Sequence, residues 1–424
     1  MSKRQYILTN IVFLLIGLAL VFELIRDSQR IGDFNGYLIA GNNALAHKDI
    51  YSNDGNTWPP FFTVFAIPLA LGANINIVAM RLVWLIGSIV AAYYTLKLIP
   101  KLVLSKEVSF KNSKALLFQD PVVFVPLIFM LRFILDNISN LQINIYMLWL
   151  SCLTFFYFTR KKYALSGLLL ALTISMKVYT IFILFYFIFK REFKPALWAL
   201  AFILLFNLSC FLVFGVDTSM SYYHHWYHDI LSAAASPDYK NQSVFGLMFR
   251  LCTSISLGTI FQINLFDMNP ATVKTITYFI VIIAALYPAI KFRNSLKERS
   301  SLTAMLEYSF VSNAIPLLSP LAWKAYFIFL WPAYFIIYLL LFRTKSQLSN
   351  SISRTLKVLF TISVLLTIFT TDGIIGMHLA EVAQTFSLIT IGAILPMIIL
   401  VILYNNADKF STDSIKYSSY PTRT

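Results

Sequence analysis

The sequence predicts an all-α protein that crosses a membrane many times. Three observations carry that reading. The 424-residue chain is 58% hydrophobic, with a mean hydropathy of +0.72, more apolar surface than a water-soluble domain needs. Apolar stretches recur along the whole length, many of them near the roughly 20 residues a helix needs to cross a bilayer. The net charge of +15 is also unevenly placed. Most Lys and Arg fall in alternate connecting segments, which the positive-inside rule makes cytoplasmic. A basic excess so placed reports topology and attraction to anionic lipid; no nucleic-acid partner is expected.

Taken in order, Lys3-Arg4 precedes a first span near 7–24, which no small-residue cleavage site follows. It reads as an uncleaved span. Further spans are expected near 76–98, 115–134, 143–159, 195–214, 273–290, 301–318, 325–342, 357–371 and 386–404. Lys101 to Lys114, Arg160-Lys161-Lys162, Lys190-Arg191, Lys291 to Arg299 and Arg343 to Lys357 then share the cytoplasmic side with both termini. Residues 163–189 are the exception, because basic residues flank both ends. A single crossing would break the charge rule, whereas two short helices meeting near Met176-Lys177 keep it. Such a pair is tolerated where its tip lines a wet cavity inside protein. The expected total is about 10 full spans plus this short pair, about 12 membrane segments. They form one domain over 1–404, followed by a Ser/Thr/Tyr-rich cytoplasmic tail, 405–424.

The acids lean to the other side: Asp27, Asp33, Asp49, Asp54, Asp136, Asp217, Asp229, Asp238, Asp267, Asp372 and Glu381 all fall outside. Two outer segments, 25–75 and 215–272, are long enough to build a site. Within them, 61–73 and 244–262 are apolar but short, and are expected to lie along the membrane surface. Cys152, Cys210 and Cys252 sit in or beside apolar stretches without metal spacing. His224 and His228 stand four apart, but no third ligand and no His-Glu-x-x-His pattern accompanies them. No metal and no cofactor are expected; His224, His225 and His228 suit interface packing or sugar contact. His378, with Asp372 and Glu381, reads as a solvated turn.

The strongest chemical candidate is Asp33, at the start of a helix-compatible run, Phe34 to Ala46. Asp is a favoured helix N-cap, and a helix N-terminus also keeps a carboxylate ionised, as a general base must be. Lys177 is an ionisable group deep in an apolar run. It is either paired, with Asp136 or a backbone carbonyl, or functional. Arg81, Arg132, Arg250 and Lys324 are further cations, and Arg81 and Arg132 can snorkel to the interface. Gln142, Asn144, Asn241 and Gln242 can hydrogen-bond sugar hydroxyls or cap helix ends.

The run Asp33-Phe34-Asn35-Gly36-Tyr37-Leu38-Ile39-Ala40, then Tyr51, Trp58-Pro59-Pro60 and Pro68-Leu69, resembles the first outer loop of glycosyltransferase family 87. Asn140-Leu141-Gln142-Ile143-Asn144 resembles that family's Gly-Gln-x-Asn stretch, and Gly167 to Lys177 its glycine-led helix ending in Lys. Asn241-Gln242-Ser243, with Gly246 and Arg250, and Ser319-Pro320 with Trp323 resemble two later segments. The resemblance runs over residues 30–340. The chain departs from the pattern at Lys324-Ala325, where the family often has His, and at Val178-Tyr179, where it commonly has Pro.

The resemblance implies a GT-C-class membrane mannosyltransferase of the bacterial plasma (inner) membrane. It would move a hexose, mannose by expectation, from a polyprenyl-phosphate sugar to a lipid or glycan acceptor on the outer face, inverting the anomeric carbon. Asp33 is then the general base. Lys177, Arg81, Arg250 and Lys324 are candidates for the donor phosphate. Tyr37, Trp58, Gln142, Asn144, Asn241, Gln242 and Trp323 are candidates for the sugar and acceptor. Two other classes fit a polytopic chain: a polysaccharide polymerase or ligase, and a lipid or glycan transporter, although no inverted repeat is visible.

Overall fold

The computed structural model describes residues 21–410 apart from 23, 53–55, 105–120, 232–234, 256–257, 259–260 and 294–300. Most of the expected first span, most of the loops 100–114 and 291–300, Asp54 and the chain past Phe410 lie outside the described residues. Among the described residues the protein is helical, with no strand. Seven helices are long and apolar enough to cross a bilayer: Ile77–Leu102, Pro121–Ser139, Phe193–Phe214, Pro270–Phe292, Lys324–Arg343, Asn350–Ile368 and Leu388–Asn405. An all-α polytopic membrane protein is therefore the architecture.

Two of the expected spans are not among these seven. Asn144–Thr159 has only 16 residues. Ser301–Leu318 is an inner helix, with Glu307, Ser309, Ser312 and Asn313 fully buried in the bundle. Some of its polar groups are met by neighbours: Ser312 Oγ donates to the Phe329 carbonyl and Asn313 Nδ2 to that of Ala393. Polar groups inside a membrane bundle persist where neighbours satisfy them.

The short helical pair is present. Tyr163–Met176 runs to Lys177, where the backbone turns extended (φ −146°, ψ 109°). A 3-10 turn, Val178–Thr180, then leads into Ile181–Phe189. The first helix of the pair, Tyr163–Met176, lies on Phe193–Phe214, and its Gly167 permits the approach: a Cβ there would meet Trp198 Cβ at 2.5 Å. The two open ends of the pair meet at the end of the bundle away from Lys177. There the Phe158 and Phe187 rings meet at a tilt, centroids 4.8 Å apart. The fully buried Lys190 pairs with Glu307 at 2.8 Å, and the Tyr186 hydroxyl donates to the same carboxylate at 2.7 Å. A buried ion pair persists when its remaining lone pairs are met, and this one pins the base of the pair.

Two segments expected to lie along the membrane surface each bury a face against the bundle. Pro60–Ile75 packs against Asp33–Leu45 and buries Phe62, Thr63, Ala66 and Ala70 completely. Of 244–262, only Val244–Cys252 is helical, and it buries Phe245, Gly246, Phe249 and Arg250. The expected free tail is also held at its start. The Gln347 amide donates to the Lys409 carbonyl at 3.0 Å, and Ser346 bridges Phe410.

Candidate active site

Asp33 is the first residue of its helix, but its side chain does not cap it; Gly32 occupies the cap position. The Asp33 backbone N–H instead donates to the Asn140 carbonyl at 2.9 Å. A Cβ on Gly32 would stand 2.5 Å from that same carbonyl oxygen, so only glycine lets the helix start touch the Asn140 turn. Among the described residues the Asp33 carboxylate accepts no hydrogen bond. It opens into a cavity of about 290 Å³. Burial raises its pKa above the ordinary carboxylate value; the Lys177 charge opposes that rise and the Asp136 charge adds to it.

One wall of the cavity is built by Asp136, Asn140 and Gln142, at and after the end of Pro121–Ser139. Tyr239, Lys240, Trp323 and Lys324 also line it, as do Asp372, Glu381 and Gln384. Asp136 pairs with Lys324 at 3.0 Å, so the expected Asp136–Lys177 pairing does not form. Trp323 keeps 40% of its surface exposed. With Tyr239 it gives an aromatic face to a site lined mainly by carboxylates, amides and lysines.

Lys177 lies behind Gln142, only 6% exposed. Its Nζ donates to Asn144 Oδ1 at 3.1 Å and to the Tyr326 hydroxyl at 3.3 Å. The Tyr179 hydroxyl shares the Asn144 oxygen at 3.0 Å. Asn144 Nδ2 in turn donates to Gln142 Oε1 at 2.7 Å and Asn137 Oδ1 at 3.1 Å. Among the described residues no carboxylate reaches the Lys177 ammonium.

Several expected site residues are held elsewhere. Arg250 is buried and held by the protein: Nη1 donates to the carbonyls of Asp238 and Asn241 at 2.7 and 2.8 Å, Nε to that of Thr385 at 3.1 Å, and Nη2 to Ser387 Oγ. Four of its five N–H groups clasp two loops together, and it does not line the cavity. Asn241 and Gln242 belong to the same clasp. Asn241 donates to Ser236 and Pro320 carbonyls, and Gln242 to those of Tyr239 and Gln384. Both are fully buried, away from the cavity. Arg81 donates to the Ser28 carbonyl. Arg132 donates to the Thr367 and Thr370 carbonyls, satisfying acceptors that a helix end leaves over. Tyr37 and Trp58 pack edge to face at 4.7 Å, with Phe62 and Trp84 around them, and neither lines the cavity. Their residue types suit a sugar platform, but the bundle uses them as core.

The sequence reading missed Asp372 and Glu381, taken for a solvated turn. They reach the cavity from more than 300 residues away in the chain. The usable signal was the charge rule, which put them on the same side as Asp33. Burial pushes the Asp372 carboxyl up, but the Thr371 hydroxyl, 2.9 Å away, and the charges of Lys324 and Arg132 outweigh it and hold the pKa low. His225 pairs with Asp229 at 2.8 Å and packs at a tilt on Tyr51, outside the cavity. Among the described residues no three His, Cys, Asp or Glu side chains form a metal-binding group.

The clasp gives a stability prediction. Arg250→Met strands several buried carbonyls, each costing about 1–3 kcal/mol. Thermal unfolding in detergent should show a lowered Tm, by more than Lys240→Met at the exposed rim lowers it; equal losses would contradict the clasp.

A family model described as glycosyltransferase family 87 matches residues 56–320, more than half of the chain. No curated protein and no solved structure matches it. The matched span contains Gln142, Asn144, Lys177 and the Asn241-Gln242-Ser243 clasp; Asp33 lies before it and Trp323 just after it.

Proposed function

The chain belongs to glycosyltransferase family 87, and on that premise we propose that it transfers a hexose, mannose by expectation, from a polyprenyl-phosphate sugar to a lipid or glycan hydroxyl. The reaction is a single displacement on the outer face of the plasma membrane. Asp33 takes the acceptor proton, the acceptor oxygen attacks the anomeric carbon, and the bond to the phosphate oxygen breaks with its electrons going to the phosphate. Attack opposite the leaving group inverts the centre. One carboxylate suffices because a phosphate leaves without an acid catalyst, unlike the sugar leaving group of the two-carboxylate hydrolases.

The observation that supports this reading is an unbonded carboxylate lining the cavity, with a buried lysine, itself without a carboxylate in contact, close enough to lower that carboxylate's pKa. Asp33 has no protein partner to displace before it binds a hydroxyl proton. Lys177, one amide behind Gln142, supplies positive charge where a phosphate develops negative charge, and fixed charges of this kind are a large catalytic term. Lys324 is at the cavity surface but shared with Asp136, so it is the lesser phosphate ligand. Arg81 and Arg250 have no part in this mechanism, for the reasons given above. Gln142 and Trp323 remain the best-placed sugar and acceptor contacts.

Two outcomes test it. Transfer should proceed undiminished in EDTA and yield a product of anomeric configuration opposite to the donor's. Activity lost in EDTA and restored by magnesium or manganese, or a retained configuration, would refute the mechanism. The pH dependence has a fixed sign. The base acts deprotonated and its pKa is raised by burial, so kcat/KM should fall on the acid side at a pH above the ordinary carboxylate range of about 3.9. A profile flat down to that range would remove Asp33 as base.

A further inference from the structure

We infer that Asn144 is a positioning residue for Lys177: it holds the ammonium in place with an amide where a carboxylate would neutralise it. The inference rests on the transferase reading for its purpose, but the geometry stands by itself.

The orientation of the Asn144 amide is forced. Asn137 Nδ2 donates to the carbonyls of Phe133 and Ala325, at 2.8 and 2.9 Å, so Asn137 turns its oxygen toward Asn144. Gln142 does the same with its Oε1. Both oxygens demand the Asn144 nitrogen. The Asn144 oxygen is left facing Lys177 Nζ and the Tyr179 hydroxyl. A flipped amide would set an N–H against an ammonium and an oxygen against two oxygens. The chain of bonds runs one way, from the backbone at Ala325 to the tip of the helical pair. Asn137 and Asn144 are 1% and 0% exposed, so neither is available to a sugar, which corrects the substrate-contact expectation for Asn144.

The residue type matters because of charge. A buried lysine usually has a carboxylate beside it. Here its neighbours are neutral: Asn144, the Tyr326 hydroxyl and the Tyr179 ring. The charged groups around Asp33 are Lys177 and Asp136, the latter already paired with Lys324; Asp372, Glu381 and Lys240 also line the cavity. An aspartate at 144 would be nearly isosteric and would cancel Lys177 locally.

The test is a double-mutant cycle with Asn144→Asp and Lys177→Met, read by thermal unfolding and by protection with a sugar-free polyprenyl monophosphate. Asn144→Asp sets a carboxylate oxygen against the Asn137 and Gln142 oxygens but gains an ion pair with Lys177, so its Tm should fall less while Lys177 is present than in the Lys177→Met background, where a buried charge is stranded. The Asn144→Asp single variant should bind the polyprenyl phosphate about tenfold more weakly or worse, with its acid limb moved to higher pH. A packing role would not make the Tm loss depend on Lys177. Additive Tm changes, or wild-type affinity in Asn144→Asp, would overturn the inference. A wild type that polyprenyl phosphate does not protect overturns the donor reading instead, and the thermal cycle then decides alone whether Asn144 holds Lys177.

Discussion

Asp33→Asn is expected to lower sugar transfer by about 10²–10⁴-fold while leaving folding and donor affinity near wild type. The substitution is nearly isosteric. The Asp33 side chain caps nothing and accepts no hydrogen bond among the described residues, so the fold loses no bond with the carboxylate. What is lost is the proton acceptor. Asp49 is the internal control, because it lies in the same outer segment and its carboxylate only accepts the Tyr51 backbone N–H at 3.0 Å. Asp49→Asn should therefore transfer at near the wild-type rate. An inactive Asp49→Asn beside an active Asp33→Asn, measured as initial rates at saturating donor, would mean the base is misassigned.

Lys177→Met is the second large effect, a loss of about 10²–10³-fold, the scale seen when one fixed group facing a developing negative charge is removed. Folding should survive, since Asn144 Oδ1 keeps the Tyr179 hydroxyl as donor. The pH profile gives a second, independent sign. The Lys177 charge lowers the Asp33 pKa, so removing it raises that pKa and moves the acid limb of kcat/KM to higher pH. A variant with reduced rate but an unmoved acid limb would separate Lys177 from Asp33 and contradict their electrostatic coupling.

Much of the fold was legible in hydropathy and charge. The short helical pair is the clearest case: Arg160-Lys161-Lys162 and Lys190-Arg191 flank it, and no single crossing satisfies both. Its tip residue, Lys177, followed from the same argument. Span length was less legible, because Ser301–Leu318 is apolar by composition and yet carries its polar residues inward. In the site, Asp33 was found from its place before a helix. The amides and arginines were not separable by type, since a hydrogen-bonding side chain serves a backbone carbonyl as well as a sugar. Arg250, Asn241 and Gln242 became a clasp because the 238–243 loop, Pro320 and residues 384–387 meet there, a long-range fact that local sequence does not carry. Asp372 and Glu381 were overlooked for the same reason.

The most direct measurement of the central claim is incubation of the purified protein and its Asp33→Asn variant with radiolabelled polyprenyl-phosphate sugars and a membrane lipid extract. The account predicts that wild type moves label from one of these donors, the mannosyl donor by expectation, into an extractable glycolipid or a glycan, and that Asp33→Asn does not. Label left on every polyprenyl-phosphate donor by wild type, with transfer from a diphosphate-linked or nucleotide-linked sugar instead, would contradict it.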